Sequence, residues 1–274
     1  MIKSLLASAL LLTAVNAGTE PTDILDLPSD YVIVFGELHG INEIPVFVGD
    51  QVETLLKSGR SVRLGLEFDS GDTAELNAAM LLQDDKELHE ALLALRQWRD
   101  GSDARNGMAM AAMLQRMGRL SGKHPGQLTV FVYDISFGQP TTPNDRDGHM
   151  ANIIGQHRAL AADDEYVVVL TGNAHAFAVP GAPWDPDFRS MVVQLEPHHP
   201  VISLRNAQSG GQAWLCTPEC KVTSIAAMPE REIGIYLQAF NTDWADSPTY
   251  HGTFFYGSAT VSKPLPVWLE AQRD

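Results

Sequence analysis

The fold of this chain is decided by one stretch, Tyr31-Val32-Ile33-Val34-Phe35-Gly36-Glu37-Leu38-His39-Gly40. Five β-favouring apolar residues in a row predict a strand buried on both faces, as in a parallel sheet covered by helices. The carboxylate of Glu37 and the imidazole of His39 follow where that strand ends, which is the edge where open α/β sheets bind ligands. Gly36 and Gly40 permit a tight turn and a close approach of the backbone to a ligand.

The same arrangement returns twice along the chain. Glu67 ends the apolar run 62–67, and His175 follows the apolar run 166–171 through a short turn. The carboxyl ends of parallel strands meet at one edge, so three strands would each bring an ionisable group to the same place. We therefore predict an α/β fold with a largely parallel central sheet flanked by helices, and an active site at that edge.

The segments between these motifs predict the rest of the organisation. Helical patterns fill residues 71–121 after the second strand, and this insertion could cover the site as a lid. Residues 181–274 read as a β-rich extension with short runs that include Met191–Leu195 and Val201–Leu204. Pro-rich or Gly/Ser-rich linkers do not divide the motifs, so residues 18–274 are predicted to form a single domain.

Four methionines of the insertion have two interpretations. Met108, Met110, Met113 and Met117 either fill a helix core or line a ligand pocket. The core is the simpler interpretation, because methionine is a general filler of irregular gaps.

The first 17 residues predict an exported protein. Lys3 precedes the apolar run 5–15, and Val15-Asn16-Ala17 is a small-x-small cleavage site, a pattern typical of a secretory signal peptide. The mature chain should be periplasmic or secreted, and no later run has the roughly 20 apolar residues of an integral membrane segment.

Charge and cysteine content restrict the partners and the compartment. The formal net charge of −15 argues against nucleic acid or an anionic membrane as the main partner and says little about the substrate, which we expect to be a small molecule or a peptide. Cys216 and Cys220 flank a Pro-containing turn, and an oxidising compartment favours a local disulfide between them. A disulfide bond requires the two Cα atoms to lie roughly 4.4–6.8 Å apart.

Two charged residues, Glu67 and Arg146, need partners at the positions that the sequence pattern gives them. A carboxylate such as Glu67 in a buried strand costs several kcal/mol unless it is paired, so we expect a catalytic or ligand role for it, or an ion pair with Arg63 or Arg146. Arg146 lies near the start of a helix predicted over 146–160, capped by Asn144 or Asp145, where a cation is unfavourable. It should have an anionic partner, or else form a surface salt bridge with Asp145 or Asp147.

Glu37 and His39 are suited to water activation. A carboxylate that holds an imidazole orients it and raises its basicity, as a general base near neutral pH requires. Alternatively, Glu37, His39, Glu67 and His175 could supply a mixed N/O ligand set for a divalent metal. His175 shares the edge with His39, and His149 is the best placed of the other histidines because it follows Arg146. Motifs for a covalent serine or cysteine mechanism, for phosphate binding and for dinucleotide binding are absent from the sequence.

Four motifs in order resemble one superfamily. They are Gly36-Glu37-Leu38-His39-Gly40, Gly65-Leu66-Glu67, Arg146-Asp147-Gly148-His149-Met150-Ala151 and Gly172-Asn173-Ala174-His175. This set, spanning about residues 30–180, is similar to the superfamily that joins erythromycin esterases, TraB and TIKI-type proteases, and ChaN-like haem-binding proteins. The resemblance implies an α/β sheet with a helical insertion and a site of Glu37, His39, Glu67, Arg146 and His175.

The branches of this superfamily imply different chemistry. The esterase-like branch implies a metal-free His that activates water, the TIKI-like branch a divalent-metal hydrolase, and the ChaN-like branch haem binding. The Glu37-x-His39 spacing looks closer to the ChaN-like branch, but the second His of that branch is missing between Ile41 and Gln51. The leading hypothesis is an exported hydrolase of an ester, lactone or amide bond; the alternative is a non-catalytic haem- or iron-binding protein.

Overall fold

The computed structural model describes residues 20–98, 104–135, 141–216, 219–237 and 249–265. The predicted signal peptide, residues 1–17, lies outside these ranges, so its assignment stays a prediction. In the described part of the chain, no helix is both long enough and apolar enough to cross a membrane.

The described strands and helices alternate in the first two thirds of the chain. The strands are β1 (Val32–Glu37), β2 (Val62–Asp69), β3 (Leu128–Asp134), β4 (Tyr166–Gly172), β5 (Val201–Ala207), β6 (Ser209–Cys216), β7 (Cys220–Ala227), β8 (Gly234–Leu237) and β9 (Gly252–Phe255). The α-helices are α1 (Glu43–Lys57), α2 (Thr73–Ala79), α3 (Asp85–Leu93), α4 (Met108–Lys123), α5 (Pro143–Leu160) and α6 (Met191–Leu195). Short 3-10 helices lie at Ile24–Asp26, Ser70–Asp72, Arg96–Trp98 and Ala104–Asn106.

The main sheet confirms the predicted α/β class. Its strand order is β3-β2-β4-β1-β5-β9-β8, with parallel pairing throughout except between β8 and β9. A smaller antiparallel sheet pairs β6 with β7. The carboxyl ends of β1, β2, β3 and β4 therefore lie side by side.

The central strands are buried on both faces, as their apolar sequences predict. Ile33 and Phe35 of β1 enter a large core beneath α1 and α4, while Val32 and Val34 enter a second core beneath α5 and α6. Each such side chain removed from water contributes about 1.5–3 kcal/mol. This double burial fixes where β1 ends and therefore where Glu37 and His39 lie.

Helix α5 begins earlier than the sequence indicated. Its N-cap is Thr142, whose Oγ1 accepts a hydrogen bond from the Asp145 backbone N–H at 3.1 Å, and Pro143 is the first helical residue. Proline is well suited to that position because its missing N–H would have no partner there. The predicted caps, Asn144 and Asp145, are wrong, and Arg146 lies inside the first helical turns.

The C-terminal third contains one helix where a strand was expected. Met191–Leu195 is α6, capped by Ser190, whose Oγ accepts from the Val193 N–H at 3.0 Å. The cap and packing against α5 override the β-branched composition of this run. The run at Val201–Leu204 does form a strand, β5, and β8 and β9 extend the same sheet.

The hairpin of β6 and β7 was not anticipated, although the bond that crosses it was. Cys216 and Cys220 are paired residues of this hairpin and form the predicted disulfide. Their Cα atoms are 3.8 Å apart, closer than the expected range. The hairpin is anchored beside the first motif by a hydrogen bond of 3.0 Å from the Trp214 N–H to the Gly40 carbonyl.

The methionines of the insertion fill the core, and two also face a cavity. Met110, Met113 and Met117 of α4 are buried in the larger core. Met108 and Met113 also line a cavity of about 420 Å³ between α4 and α1. The core interpretation is therefore confirmed for Met110, Met113 and Met117, and the ligand pocket stays a prediction.

Candidate functional site

Four strands bring polar groups to one edge of the sheet. Glu37 ends β1, Asp134 ends β3 and Gly172 ends β4. Glu67 lies two residues before the end of β2, where the register with β3 shifts between Leu66 and Asp69. Irregularities of this kind redirect side chains at sheet edges. The edge predicted from the first motif is thus where these groups meet.

Glu67 is the most heavily bonded group of this edge. One oxygen, Oε2, accepts hydrogen bonds from the Gly172 backbone N–H at 2.7 Å and from the Thr171 hydroxyl at 2.9 Å. The other, Oε1, accepts from Arg146 Nη2 at 2.9 Å and from Arg105 Nη1 at 3.2 Å. A carboxylate that is 6% exposed is thereby satisfied at both oxygens.

The electrostatic surroundings keep Glu67 ionised. Burial alone would raise the pKa of its carboxyl group, but the charges of His175, His39, Arg105 and Arg146 together hold that pKa well below its usual value. Of the two ion pairs predicted for Glu67, the one with Arg146 forms, whereas Arg63 pairs with Glu165 at 3.0 Å.

Two parallel hydrogen bonds to Asp134 hold Arg146, and the sequence did not predict this partner. Its Nε donates to Asp134 Oδ1 at 2.8 Å and its Nη2 donates to Asp134 Oδ2 at 2.6 Å. Burial lowers the pKa of Arg146, but its hydrogen bonds to Asp134 and the charge of Glu67 outweigh burial and raise it. The expected anionic partners therefore exist, and the alternative surface salt bridge with Asp145 or Asp147 does not form.

Glu37 and His39 form the pair that their spacing predicted. His39 Nδ1 lies 3.0 Å from Glu37 Oε1, and the Glu37 side chain is almost fully buried while that of His39 is 24% exposed. Burial lowers the pKa of His39, but the charge and the hydrogen bond of Glu37 outweigh it, so this pKa lies above the ordinary 6.5. An ionised carboxylate only accepts, which assigns the proton of the neutral ring to Nδ1 and the lone pair to Nε2.

The second histidine of the site is arranged differently. His175 Nδ1 lies 2.8 Å from Asp147 Oδ1, which also accepts from the Met191 N–H at 2.6 Å. His175 Nε2 lies 3.3 Å from Arg146 Nη1 and 3.6 Å from Glu67 Oε1. A guanidinium only donates, so the lone pair of His175 is already occupied by Arg146. His39 is therefore the better placed base of the two.

Three glycines leave room for protein groups rather than for a ligand. A Cβ on Gly172 would lie 2.9 Å from His39 Nε2 and 3.5 Å from Glu67 Oε2, so this glycine lets both side chains approach β4. A Cβ on Gly36 would lie 2.9 Å from Ala176 Cβ. Gly40 has a φ of +80° and packs against the Trp214 carbonyl of the hairpin.

The structure brings together all five predicted residues, Glu37, His39, Glu67, Arg146 and His175, and adds three that sequence reasoning missed. Asp134 carried a usable signal, because it ends a β-strand as Glu37 does. Asp147 was noted only as a surface partner of Arg146, yet it is 1% exposed and orients His175. Arg105 comes from a 3-10 turn of the insertion and had no signal. His149 is exposed.

The tentative metal ligands Glu37, His39, Glu67 and His175 do not fit a divalent cation. Both oxygens of Glu67 and the Nε2 of His175 already accept hydrogen bonds, and the guanidinium groups of Arg105 and Arg146 would repel a cation. Within the described ranges, no three His, Cys, Asp or Glu side chains are grouped to hold a metal ion. The arrangement suits a neutral imidazole base beside guanidinium groups that can stabilise negative charge developing on a substrate.

Comparison with known proteins places the fold. Neither the family models nor the curated proteins yield a match to this chain. Among solved structures, a mutant of the erythromycin esterase EreC in its open conformation is similar, with 10% identity, a TM-score of 0.57, and coverage of 85% of this chain and 92% of that one. A succinoglycan biosynthesis protein has 10% identity, a TM-score of 0.56, and coverage of 85% and 89%.

A third neighbour is ChaN of Campylobacter jejuni, in a structure that describes cofacial haem binding. Its identity is 12%, its TM-score 0.42, and the match covers 67% of this chain and 84% of that one. The resemblance inferred from the four motifs is thus confirmed for the fold, through the esterase. Identities this low show a shared fold and leave the chemistry to the site.

The bonding of Glu67 predicts a large stability effect. Replacing Glu67 by Gln places an amide N–H₂ against either the Gly172 N–H or the arginine guanidinium groups, which only donate, so we expect the unfolding free energy at pH 7 to fall by about 3 kcal/mol. The control Glu90→Gln alters an exposed pair with Lys86 and should change it by less than about 0.5 kcal/mol. Urea unfolding of the three proteins measures both values.

The same experiment has a defined pH dependence. Because the folded-state pKa of Glu67 is lowered, its contribution is present above the unfolded-state pKa and is lost as the pH falls toward the folded-state value. The difference between the wild type and Glu67→Gln should therefore shrink in acid. Equal stability of the two proteins at pH 7 would contradict the described pairing.

Proposed function

We propose that this chain is an exported hydrolase that cleaves an ester, lactone or amide bond with a water molecule activated by His39. The observation that carries this proposal is the 3.0 Å contact between His39 Nδ1 and Glu37 Oε1 at the carboxyl edge of the sheet. It leaves Nε2 with a lone pair, and among the described residues no side chain or backbone group donates to that atom. A base so oriented, with a raised pKa, suits proton abstraction from water near neutral pH.

The proposed reaction uses His39 twice. Its Nε2 takes one proton from water while the water oxygen forms a bond to the carbonyl carbon, and the carbonyl π electrons move to oxygen. When the tetrahedral intermediate collapses, the bond to the leaving oxygen or nitrogen breaks, and the imidazolium returns the proton to that atom. The products are a carboxylic acid and an alcohol or amine, and His39 is regenerated.

The remaining groups would supply the electrostatic environment. Arg146 would stabilise the oxyanion, and His175, whose Nε2 accepts a hydrogen bond from Arg146 Nη1 at 3.3 Å, would orient that guanidinium group. Glu67 would hold Arg146 and Arg105 in place rather than act as a base, because both of its oxygens are engaged. Glu37 would fix the tautomer of His39.

Two further observations support this proposal. The fold is similar to that of an erythromycin esterase, a protein whose name states ester cleavage. Export is supported by the signal-like residues 1–17 and by the Cys216–Cys220 disulfide, a bond that persists in oxidising compartments. The substrate would be a small molecule or a peptide.

Haem binding is the second candidate, and one observation favours it. A partly exposed imidazole with an available Nε2, as in His39, is also what ligation of haem iron requires. Such a protein would use His39 as ligand, because Arg146 occupies the Nε2 of His175, and it would need no hydrolytic activity.

Substitution of His39 tests the hydrolase proposal. On a panel of p-nitrophenyl esters, lactones and peptide amides, His39→Gln should lose at least about 100-fold in kcat/KM, the usual contribution of a general base. In the wild type, kcat/KM should rise with pH through a pKa above 6.5, because the base must be neutral. His149→Gln, a change at an exposed histidine outside the cluster, should retain full activity.

Thermal unfolding of both variants separates catalysis from folding. His39→Gln should keep a stability within about 2 kcal/mol of the wild type. A variant that fails to fold would instead make His39 a structural residue, and a folded variant with unchanged hydrolysis would refute its role as base.

Elemental analysis and the absorbance spectrum of the purified protein separate the two candidates. The protein should contain no stoichiometric divalent metal, since Glu67 and His175 are engaged, and titration with hemin should give no Soret band that depends on His39. A Soret band that shifts in His39→Gln would favour haem binding. A bound metal lost on substitution of Glu37 or His39 would favour metal-dependent hydrolysis.

A further inference from the structure

A cavity adjoins the candidate site. This cavity of about 860 Å³ begins at Asn173 and Ala174, directly before His175, and continues along the segment up to Pro186 that connects β4 to α6. Arg205 of β5 and Tyr250 form its other side. None of these lining residues takes part in the proposed proton transfer.

Three aromatic rings line this cavity. Phe177 lies with its ring centroid 6.0 Å from that of Trp184 and 5.6 Å from that of Tyr250. Trp184 is 64% exposed, an unusual state for the largest apolar side chain. Pro180, Pro183 and Pro186 restrict the backbone around it, so an exposed aromatic surface is presented with little entropy left to lose.

The charged residue that lines this cavity is Arg205. In β5 every residue is buried except Arg205, which is exposed in the middle of a strand that pairs with β1 and β9. Within the described part of the chain, the guanidinium group of Arg205 forms no ion pair. A cation placed here stands out in a chain whose net charge is −15. It complements an anionic group on a ligand.

Hydrogen bonds connect the cavity to the site. The Tyr250 hydroxyl donates to the Asn173 carbonyl at 3.1 Å, and the Asn173 N–H donates to the Glu37 carbonyl at 2.9 Å. A ligand held in the cavity would therefore lie next to the turn that carries His175. This contact makes the cavity a suitable place for the part of a substrate that does not react.

We propose that this cavity, lined by Phe177, Trp184, Tyr250 and Arg205, binds the ring-bearing anionic part of the substrate. The ring would stack on Trp184, and a carboxylate or comparable anion on it would bind Arg205. This inference rests on the proposed hydrolase function, which makes the bound molecule a substrate. Binding to the cavity itself requires no catalysis.

Equilibrium dialysis with two matched probes tests the binding. The anion 2-naphthoate and the neutral 2-naphthamide share the same ring, so their affinity ratio isolates the charge. We expect naphthoate to bind at least about tenfold more tightly, which equals about 1.4 kcal/mol. Arg205→Gln should bring the ratio close to one, whereas Arg189→Gln, at an exposed arginine of the same segment that does not line the cavity, should preserve it.

Variants of Trp184 test the stacking surface. Trp184→Ala should weaken both probes by about tenfold, as loss of an aromatic pair implies, while Trp184→Phe should keep most of the affinity. Thermal unfolding confirms that each variant is folded, which is expected for side chains this exposed. Equal binding of the two probes by the wild type would overturn the proposal, and so would a ratio that survives Arg205→Gln.

The failures of the two proposals are distinguishable. His39→Gln should bind both probes as the wild type does, because it removes only the base. Charge-dependent binding without any His39-dependent hydrolysis would support the proposed binding site and refute the proposed hydrolase function. Hydrolysis that depends on His39, together with probe binding that does not depend on charge, would support the proposed hydrolase function and refute the proposed binding site.

Discussion

The carboxylate of Glu67 imposes the strongest constraint on this molecule. A charge removed from water beside a buried strand costs several kcal/mol unless it is fully hydrogen-bonded. The chain meets this requirement with four groups from three places: the β4 terminus supplies Gly172 and Thr171, α5 supplies Arg146, and the insertion supplies Arg105. The fold around the edge is therefore tied together through one side chain.

This arrangement determines which group remains available for chemistry. Asp134 and Glu67 engage the two arginines, and Arg146 in turn occupies the Nε2 of His175. Glu37 occupies only the Nδ1 of His39. The imidazole of His39 is thus oriented, partly exposed and adjacent to positive charge, which is the combination that activation of water against a carbonyl group requires.

The sequence predicted most parts of this site that lie on strands, although Asp134 at the end of β3 was missed. An apolar run that stops at a polar residue marks a strand terminus, so Glu37, Glu67 and the turn to His175 could be placed at one edge. Arg105 could not, because a 3-10 turn inside a helical insertion carries no periodic signal. The helix at Met191–Leu195 was missed since its β-branched residues favour a strand, and only the Ser190 cap and contacts with α5 decide otherwise. Asp147 was misjudged because burial at a helix start depends on tertiary packing.

The most direct test of the central claim is the ring ¹⁵N NMR titration of His39, assigned by comparison with the spectrum of His39→Gln. The account predicts a pKa above 6.5 and, in the neutral ring, a proton on Nδ1 with an unprotonated Nε2. A pKa below 6.5, or a neutral ring protonated on Nε2, would contradict it, because His39 would then lack either the basicity or the lone pair that the proposed reaction needs.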